Sequence, residues 1–249
     1  MNPTSESNNA VIAFCGRGLV RAGNEDRMAI DGVPLEHERM LRRDLDGAGD
    51  HLIIVADGMG GHVKGELASQ LTVQTISDFW KNSRPHFEPV EAIRTANRVV
   101  YDAMGINPSL RGMGATVVGA HINANRIAWF NLGDSRGYVF RDNKLVQFTT
   151  DHVPRGATGV GKRRSHSITQ SIGGGYSPID VWPAIGVLEA REDDRFLFCT
   201  DGLTDAVPDA LIHKTLAHSE SLLDAASEML RAAQTNGAPD NISLVLLKR

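Results

Sequence analysis

The sequence predicts an α+β fold, and three observations carry that expectation. Apolar β-like runs outnumber amphipathic helical stretches, the runs follow one another in hairpin order instead of alternating strictly with helices, and no linker, low-complexity tract or repeat divides the 249 residues. Strands are expected at residues 11–16, 52–56, 115–122, 126–132, 137–141, 179–187, 195–199 and 242–247, short runs rich in Val, Ile and Phe. Asn123-Ala124-Asn125 lies between two of them as a hairpin loop, because Asn tolerates the positive φ of tight hairpins, and Asp142-Asn143 reads as another. Helical patterns are expected at 65–81, with Leu67, Leu71 and Ile76 near one face, at 89–104, and at 222–233, with Leu223, Ala226 and Leu230. Residues 33–50, with Glu36, Arg39, Arg42, Arg43 and Asp44, read as an enlarged polar loop without assignable chemistry. A polar tail over residues 1–9 ahead of one domain over 10–249 is the expected organisation.

Composition narrows the function classes. Lys and Arg number 26 against 30 Asp and Glu, a formal net charge of −4 that argues against a dedicated nucleic-acid binder. The N-terminal residues lack the apolar core of an export signal, and no stretch approaches the ~18 apolar residues needed to cross a bilayer. A soluble cytoplasmic protein, working as a monomer and without membrane attachment, is expected. Cys15 and Cys199 both fall in apolar strand-like runs and read as reduced core thiols. Neither has the phosphate-cradling loop that a covalent phosphocysteine route requires.

Four short acidic segments carry the chemistry: Asn24-Glu25-Asp26, Asp57-Gly58-Met59-Gly60-Gly61-His62, Thr200-Asp201-Gly202 and Asp240-Asn241. Each stands at the edge of an apolar run, so folding can gather carboxylates that are remote in sequence into one all-oxygen cluster. Hard divalent cations such as Mg²⁺ and Mn²⁺ take such ligands and keep several waters, whereas zinc sites recruit Cys or His at short spacings not found here. A lone Asp-Gly after a strand is usually a turn. Here 52–58 and 196–202 repeat the strand-Asp-Gly layout, and Asp240 directly precedes the last strand. Gly58 has no Cβ, so its backbone can approach an ion and offer its carbonyl beside Asp57. Two ions about 3.5–4 Å apart can share a water, lower its pKa and align it with a phosphorus atom.

These motifs, in this order from about Gly16 to about Leu247, resemble the metal-dependent protein phosphatase (PPM, type 2C) family, in its bacterial form. The resemblance implies a four-layer α-β-β-α sandwich, a central antiparallel β-sandwich flanked by helices. It implies that Asp57 bridges two tightly bound Mn²⁺ or Mg²⁺ ions, with Gly58, Asp201 and Asp240 completing the protein ligands. It also implies that Asp134, in Asn131-Leu132-Gly133-Asp134-Ser135-Arg136, holds a third, weaker ion with Asp201. Arg21, in Gly18-Leu19-Val20-Arg21-Ala22-Gly23 before the first acidic segment, is implied to bind substrate phosphate through its planar fork. Glu25, Asp26 and Asn241 are placed as groups that support the ions and their waters. His62 follows the bacterial Asp-Gly-Met-Gly-Gly-His pattern and reads either as a catalytic, proton-transferring residue near the phosphate or as a structural one. The general-acid position of some members is occupied by Met59. Gly112-Met113-Gly114-Ala115-Thr116 matches a family element partly and reads as strand packing, and Asp151-His152 resembles an Asp-His element before the family's flap.

The chain departs from the family most between residues 154 and 168, where the flap is short and basic through Lys162, Arg163 and Arg164. That segment reads either as a solvated loop or as a rim that selects acidic or multiply phosphorylated peptides. The function expected is hydrolysis of phosphoserine and phosphothreonine on proteins, opposing a cytoplasmic serine/threonine kinase, with that kinase and its targets as partners. A phosphoprotein-binding module without strong catalysis, and a metal-dependent hydrolase of small phosphate esters, stay open as alternatives.

Overall fold

The computed structural model describes residues 9–61, 63–84, 86–154 and 167–249. Two six-stranded antiparallel sheets form the centre. One contains, from edge to edge, Lys144–Gln147, Arg136–Arg141, Arg195–Cys199, Ile242–Lys248, Ala10–Gly16 and Leu41–Asp44. The other contains Ala184–Glu189, Arg126–Leu132, Val117–Asn123, Asp50–Ala56, Arg27–Ile30 and Val33–Pro34. A small third sheet joins Ile172–Gly173, Gly114–Ala115 and Gly58–Met59.

The central strands are apolar at nearly every position because both faces are covered. In Asp50–Ala56, Ile53 and Val55 turn toward the other sheet, while Leu52, Ile54 and Ala56 turn toward helices. In Ile242–Lys248, Val245 and Leu247 face inward against Phe196 and Phe198, and Leu244 and Leu246 face outward. Helices α1 (Val63–Ser83) and α2 (Pro89–Ile106) cover one outer face through Ile76, Ile93 and Val100. Helices α3 (Asp201–Ala206), α4 (Asp209–His218) and α5 (Leu222–Thr235) cover the other through Leu203, Ile212 and Met229. The result is the expected four-layer α-β-β-α sandwich. Proline at the first helical position starts α2, and the Ser221 hydroxyl caps α5 by accepting from the Asp224 N–H at 3.1 Å. Among the described residues no helix is long and apolar enough to cross a membrane.

Several expected boundaries move, each for a local reason. The strand expected over 179–187 is confined to Ala184–Glu189, because Pro183 has no N–H to give to a ladder. The strand expected over 115–122 is broken at Thr116, whose N–H leaves the sheet to donate to the Asp57 carbonyl at 2.8 Å. The polar 33–50 segment is no simple loop. It supplies Val33–Pro34 to one sheet and Leu41–Asp44 to the edge of the other, where exposed Arg42 and Asp44 guard against further strand pairing. Asp142 and Asn143 both adopt positive φ, 51° and 54°, as a two-residue hairpin requires, whereas in the 123–125 loop it is Ala124 that does so, at 44°.

Candidate metal centre

The acidic segments meet where the two large sheets part at one end of the sandwich. Strand Asp50–Ala56 ends in Asp57, and a Cβ on the next residue, Gly58, would strike the carbonyls of Gly65 and Glu25. Only glycine lets the short Gly58–Met59 strand, the first turn of α1 and the Glu25 backbone approach so closely. A Cβ on Gly65 would in turn strike the Glu25 carboxylate. The Ser69 hydroxyl of α1 completes this contact by donating to the Glu25 carbonyl at 2.5 Å. From the opposite side Thr116 holds the Asp57 peptide, and its hydroxyl lies 2.7 Å from the Ser135 hydroxyl, beside Asp134.

Asn241 does most to shape the loop that carries Arg21. Its Oδ1 accepts from the Glu25 N–H at 2.9 Å, and its Nδ2 donates to the carbonyls of Arg17 and Gly23, each at 2.9 Å. All three bonds go to backbone, so one side chain next to Asp240 pins the loop at both ends. Asp26 is fully buried behind the cleft and accepts from the Thr200 hydroxyl at 3.0 Å. The Ser243 hydroxyl faces it, yet the Asp26 Oδ1 has no hydrogen bond of ordinary geometry.

Arg21, Glu25, Asp57, Gly58, Asp134, Asp201, Asp240 and Asn241 all line one open cleft of about 290 Å³. The electrostatics of this cleft are those of accumulated negative charge. Burial, followed by repulsion from Asp26, Asp201, Asp240 and Asp134, raises the Asp57 pKa well above the usual carboxylate range. Asp201 is pushed up to about 7 by burial and by Asp134, Asp205 and Asp240. Burial likewise takes Asp26 to about 7, with Asp201 and Asp240 adding to it against the hydrogen bonds from Ser243 and Thr200. Among the described residues that line the cleft, the guanidinium of Arg21 stands against these carboxylates. Arg21 Nη2 donates to Asp240 Oδ2 at 2.6 Å, and although desolvation works against its charge, Asp240, Glu25 and Asp57 hold its pKa above the ordinary value.

These residues fit hard divalent cations. Among the described residues every ionisable group lining the cleft that could ligate a cation is a carboxylate, Gly58 exposes its backbone there, and the repulsion that lifts the aspartate pKa values is what a bound cation would relieve. Among the described residues no three His, Cys, Asp or Glu side chains close on one point as a ready-made cage. The carboxylates instead border a cleft wide enough for ions that retain water ligands.

A sequence model of the protein phosphatase 2C family matches residues 42–246. The chain belongs to the protein phosphatase 2C family. The match begins after the Arg21–Asp26 segment, which is covered by similarity to individual members. This phosphatase 2C chain is 33% identical over 240 residues to the serine/threonine protein phosphatase PstP of Mycobacterium tuberculosis, an alignment that takes in 92% of this chain and 43% of PstP. It thus spans less than half the length of that relative. With the serine/threonine phosphatase Stp of Listeria welshimeri it shares 31% identity over 251 residues, covering 94% of this chain and 93% of Stp. The structure of the PstP catalytic domain in complex with two manganese ions superposes with a TM-score of 0.72 at 31% identity, over 96% of this chain and 98% of that one.

Three sets of residues in this phosphatase 2C chain escape sequence reasoning. Asp205, one helical turn after Asp201 in α3, adds negative charge to both Asp134 and Asp201. The i, i+4 spacing on a short helix is the signal that could have revealed it. The hydroxyls of Thr116, Ser135 and Thr200 tie the acidic segments together, and lone hydroxyls carry no such signal. The 33–50 segment also reaches the site from behind: Asn24 Nδ2 lies 2.9 Å from His37 Nδ1 and 3.3 Å from the Cys15 sulfur, and the Arg17 N–H donates to Glu38 Oε1 at 2.6 Å. Cys15 and Cys199 are free and buried, each thiol pushed up to about 12 chiefly by burial, which suits core residues and not nucleophiles. His62, Lys162, Arg163 and Arg164 lie outside the described residues.

Proposed function

We propose that this chain is a Mn²⁺- or Mg²⁺-dependent phosphatase that hydrolyses phosphoserine and phosphothreonine on proteins. The observation that carries the reading is the convergence of Asp57, Asp134, Asp201 and Asp240, from four separate stretches of chain, on one cleft with Arg21 at its rim. Membership of the family and the manganese-bound PstP catalytic domain support it. Divalent ions held in the cleft supply Lewis acidity toward a phosphoryl oxygen and a nucleophile at neutral pH. Asp57, the Gly58 carbonyl, Asp201 and Asp240 are the groups that would hold the tight pair, and Asp134 with Asp201 and Asp205 would hold a weaker ion.

Arg21 orients the substrate. Its side chain is half exposed and has one of its five N–H donors on Asp240, so the pairing aims the fork while other donors face a phosphate. Thr200 and Asn241 act through the backbone and through Asp26, keeping the loop and its carboxylates from drifting under their mutual repulsion. Substrates are then phosphorylated proteins, among them a serine/threonine kinase and its targets, met by a monomer in the cytoplasm. The test is release of phosphate from a phosphothreonine peptide and from a phosphoprotein, with and without Mn²⁺. Activity that needs added Mn²⁺ or Mg²⁺ supports the proposal. Full turnover in excess chelator would overturn it.

A further inference from the structure

Asp134 occupies a turn that its own strands hold only in part, through Asn131 Nδ2, which donates to the Ser135 carbonyl at 2.7 Å. Strand Arg126–Leu132 ends, Gly133 turns the chain at φ 112°, and strand Arg136–Arg141 begins in the opposite sheet. Two residues from a stretch without regular structure grip this turn on both sides of Asp134. On one side the Gly133 N–H donates to His152 Nδ1 at 3.0 Å, and the His152 N–H donates back to the Gly133 carbonyl at 2.9 Å. On the other, Arg136 Nε donates to both oxygens of Asp151, at 2.9 and 3.0 Å, and Arg136 Nη2 adds a further bond. The Arg136 and Asp151 side chains are 6% and 10% exposed, and Gln147 Nε2 donates to Asp151 Oδ1 at 2.8 Å. The Thr169 N–H donates to the His152 carbonyl at 2.7 Å, fastening the chain at Thr169 to the same point.

The chemistry of the grip is specific. A backbone N–H can only donate, so His152 Nδ1 must offer a lone pair and carry its proton on Nε2. Burial keeps the imidazole neutral, holding its pKa below the ordinary value against the pull of Asp151. Burial raises the Asp134 pKa against a bond from its own backbone N–H, with Asp151 and Asp205 adding repulsion and Arg136 opposing it.

We propose that Asp151 and His152 form a clip that positions Asp134 against Asp201 and Asp205 and thereby sets the affinity of that corner for its divalent ion. The clip rests on the reading of the corner as an ion site. His152 and Asp151 touch neither substrate nor ion in this scheme. They are positioning residues.

The test titrates Mn²⁺ into the full chain, following bound Mn²⁺ by electron paramagnetic resonance and, separately, turnover of a phosphothreonine peptide. His152→Asn keeps an acceptor where Nδ1 stands, whereas His152→Gln moves it to the place of Nε2 and His152→Ala removes it. The expected result is a roughly tenfold weaker low-affinity phase in the Ala and Gln proteins, the scale typical of lost groups behind metal ligands, with the tight phase unchanged and Asn near wild type. The Asn and Gln pair keeps the comparison informative if the Ala protein folds poorly. A wild-type weak phase in the Gln protein, or equal loss in Asn and Gln, would overturn the clip. Asp134→Ala separates the two ideas. If it leaves the weak phase intact, or if the wild type has none, the corner is not an ion site and the clip falls with it; if it abolishes the phase while His152→Gln does not, the clip alone is wrong.

Discussion

At one end of the cleft Asp57 leaves a strand whose last five residues are buried, and close glycine contacts seat Gly58 against α1 and Glu25. At the other end Asp134 stands in a turn held by side chains, from Asn131 on the strand before it and from Asp151 and His152 outside the sheets. The first arrangement fixes its carboxylate through backbone packing, which has no alternative rotamers and little room to relax. The second fixes it through a few hydrogen bonds, each of which can be broken singly. On the proposed reading, rigid backbone would suit ligands whose spacing must not change, and side-chain clips would suit a corner with a weaker ion.

Replacing the two aspartates tests the difference between the two ends most directly. Asp57→Asn should reduce turnover on the order of 10³-fold and weaken Mn²⁺ binding in the tight phase, because it removes a charge at the centre of the cluster. Asp134→Ala should leave two ions bound by calorimetry and still impair turnover. Equal loss of tight binding in both proteins would erase the distinction between the two ends. Arg21→Ala should lower kcat/KM on phosphopeptides about tenfold to a hundredfold, the scale of a charge-assisted hydrogen bond worth about 1.5–3 kcal/mol. Its Mn²⁺ isotherm should be retained even though Arg21 touches Asp240, and a collapse of tight binding would make Arg21 part of the metal centre.

The smallest effect sharpens the electrostatic side. Asp201 is pushed up to about 7 in the folded state from an ordinary value of 3.8, so the folded state binds its proton more tightly than the unfolded chain does. In chelator, its contribution to stability is present below pH 3.8 and is lost as pH rises toward about 7. Asp201→Asn, which cannot ionise, should therefore melt above the wild type at pH 8 in chelator, by roughly 2–4 °C for each kcal/mol gained. The two should converge near pH 4, and adding Mn²⁺ at pH 8 should reverse their order. A difference independent of pH would mean that the carboxylate charge is not what destabilises the cleft.

The same contrast explains what could be read from the sequence. Asp57-Gly58, Thr200-Asp201-Gly202 and Asp240 stand at the ends of long apolar strands, where periodicity marks the place and a carboxylate beside glycine marks the chemistry. Gly58–Met59 and Ile172–Gly173 have two residues each and exist only through their partner Gly114–Ala115, so no local pattern announces them. Asn241 was legible as a neighbour of Asp240 but not as the pin of the Arg17–Glu25 loop, since that role depends on three backbone groups more than 200 positions away. The 33–50 segment looked like polar filler because its strands lie at sheet edges, where exposed charge is expected and apolar alternation is not. Its contacts through His37 and Glu38 with the Asn24 loop are set by tertiary packing alone.

The cleft also straddles the seam of the sandwich. Asp57 ends a strand of one sheet, Asp201 and Asp240 flank strands of the other, and Asp134 sits where the chain crosses between them. An ion held by carboxylates from both sides would therefore act as a rivet through two plates. Loading the cleft should slow amide exchange in the facing strands Asp50–Ala56 and Ile242–Lys248 together, as one unit, beyond what the helices gain. Protection confined to the loops around the carboxylates would show that the plates are held by their apolar filling alone, and that the ions report on the seam without fastening it.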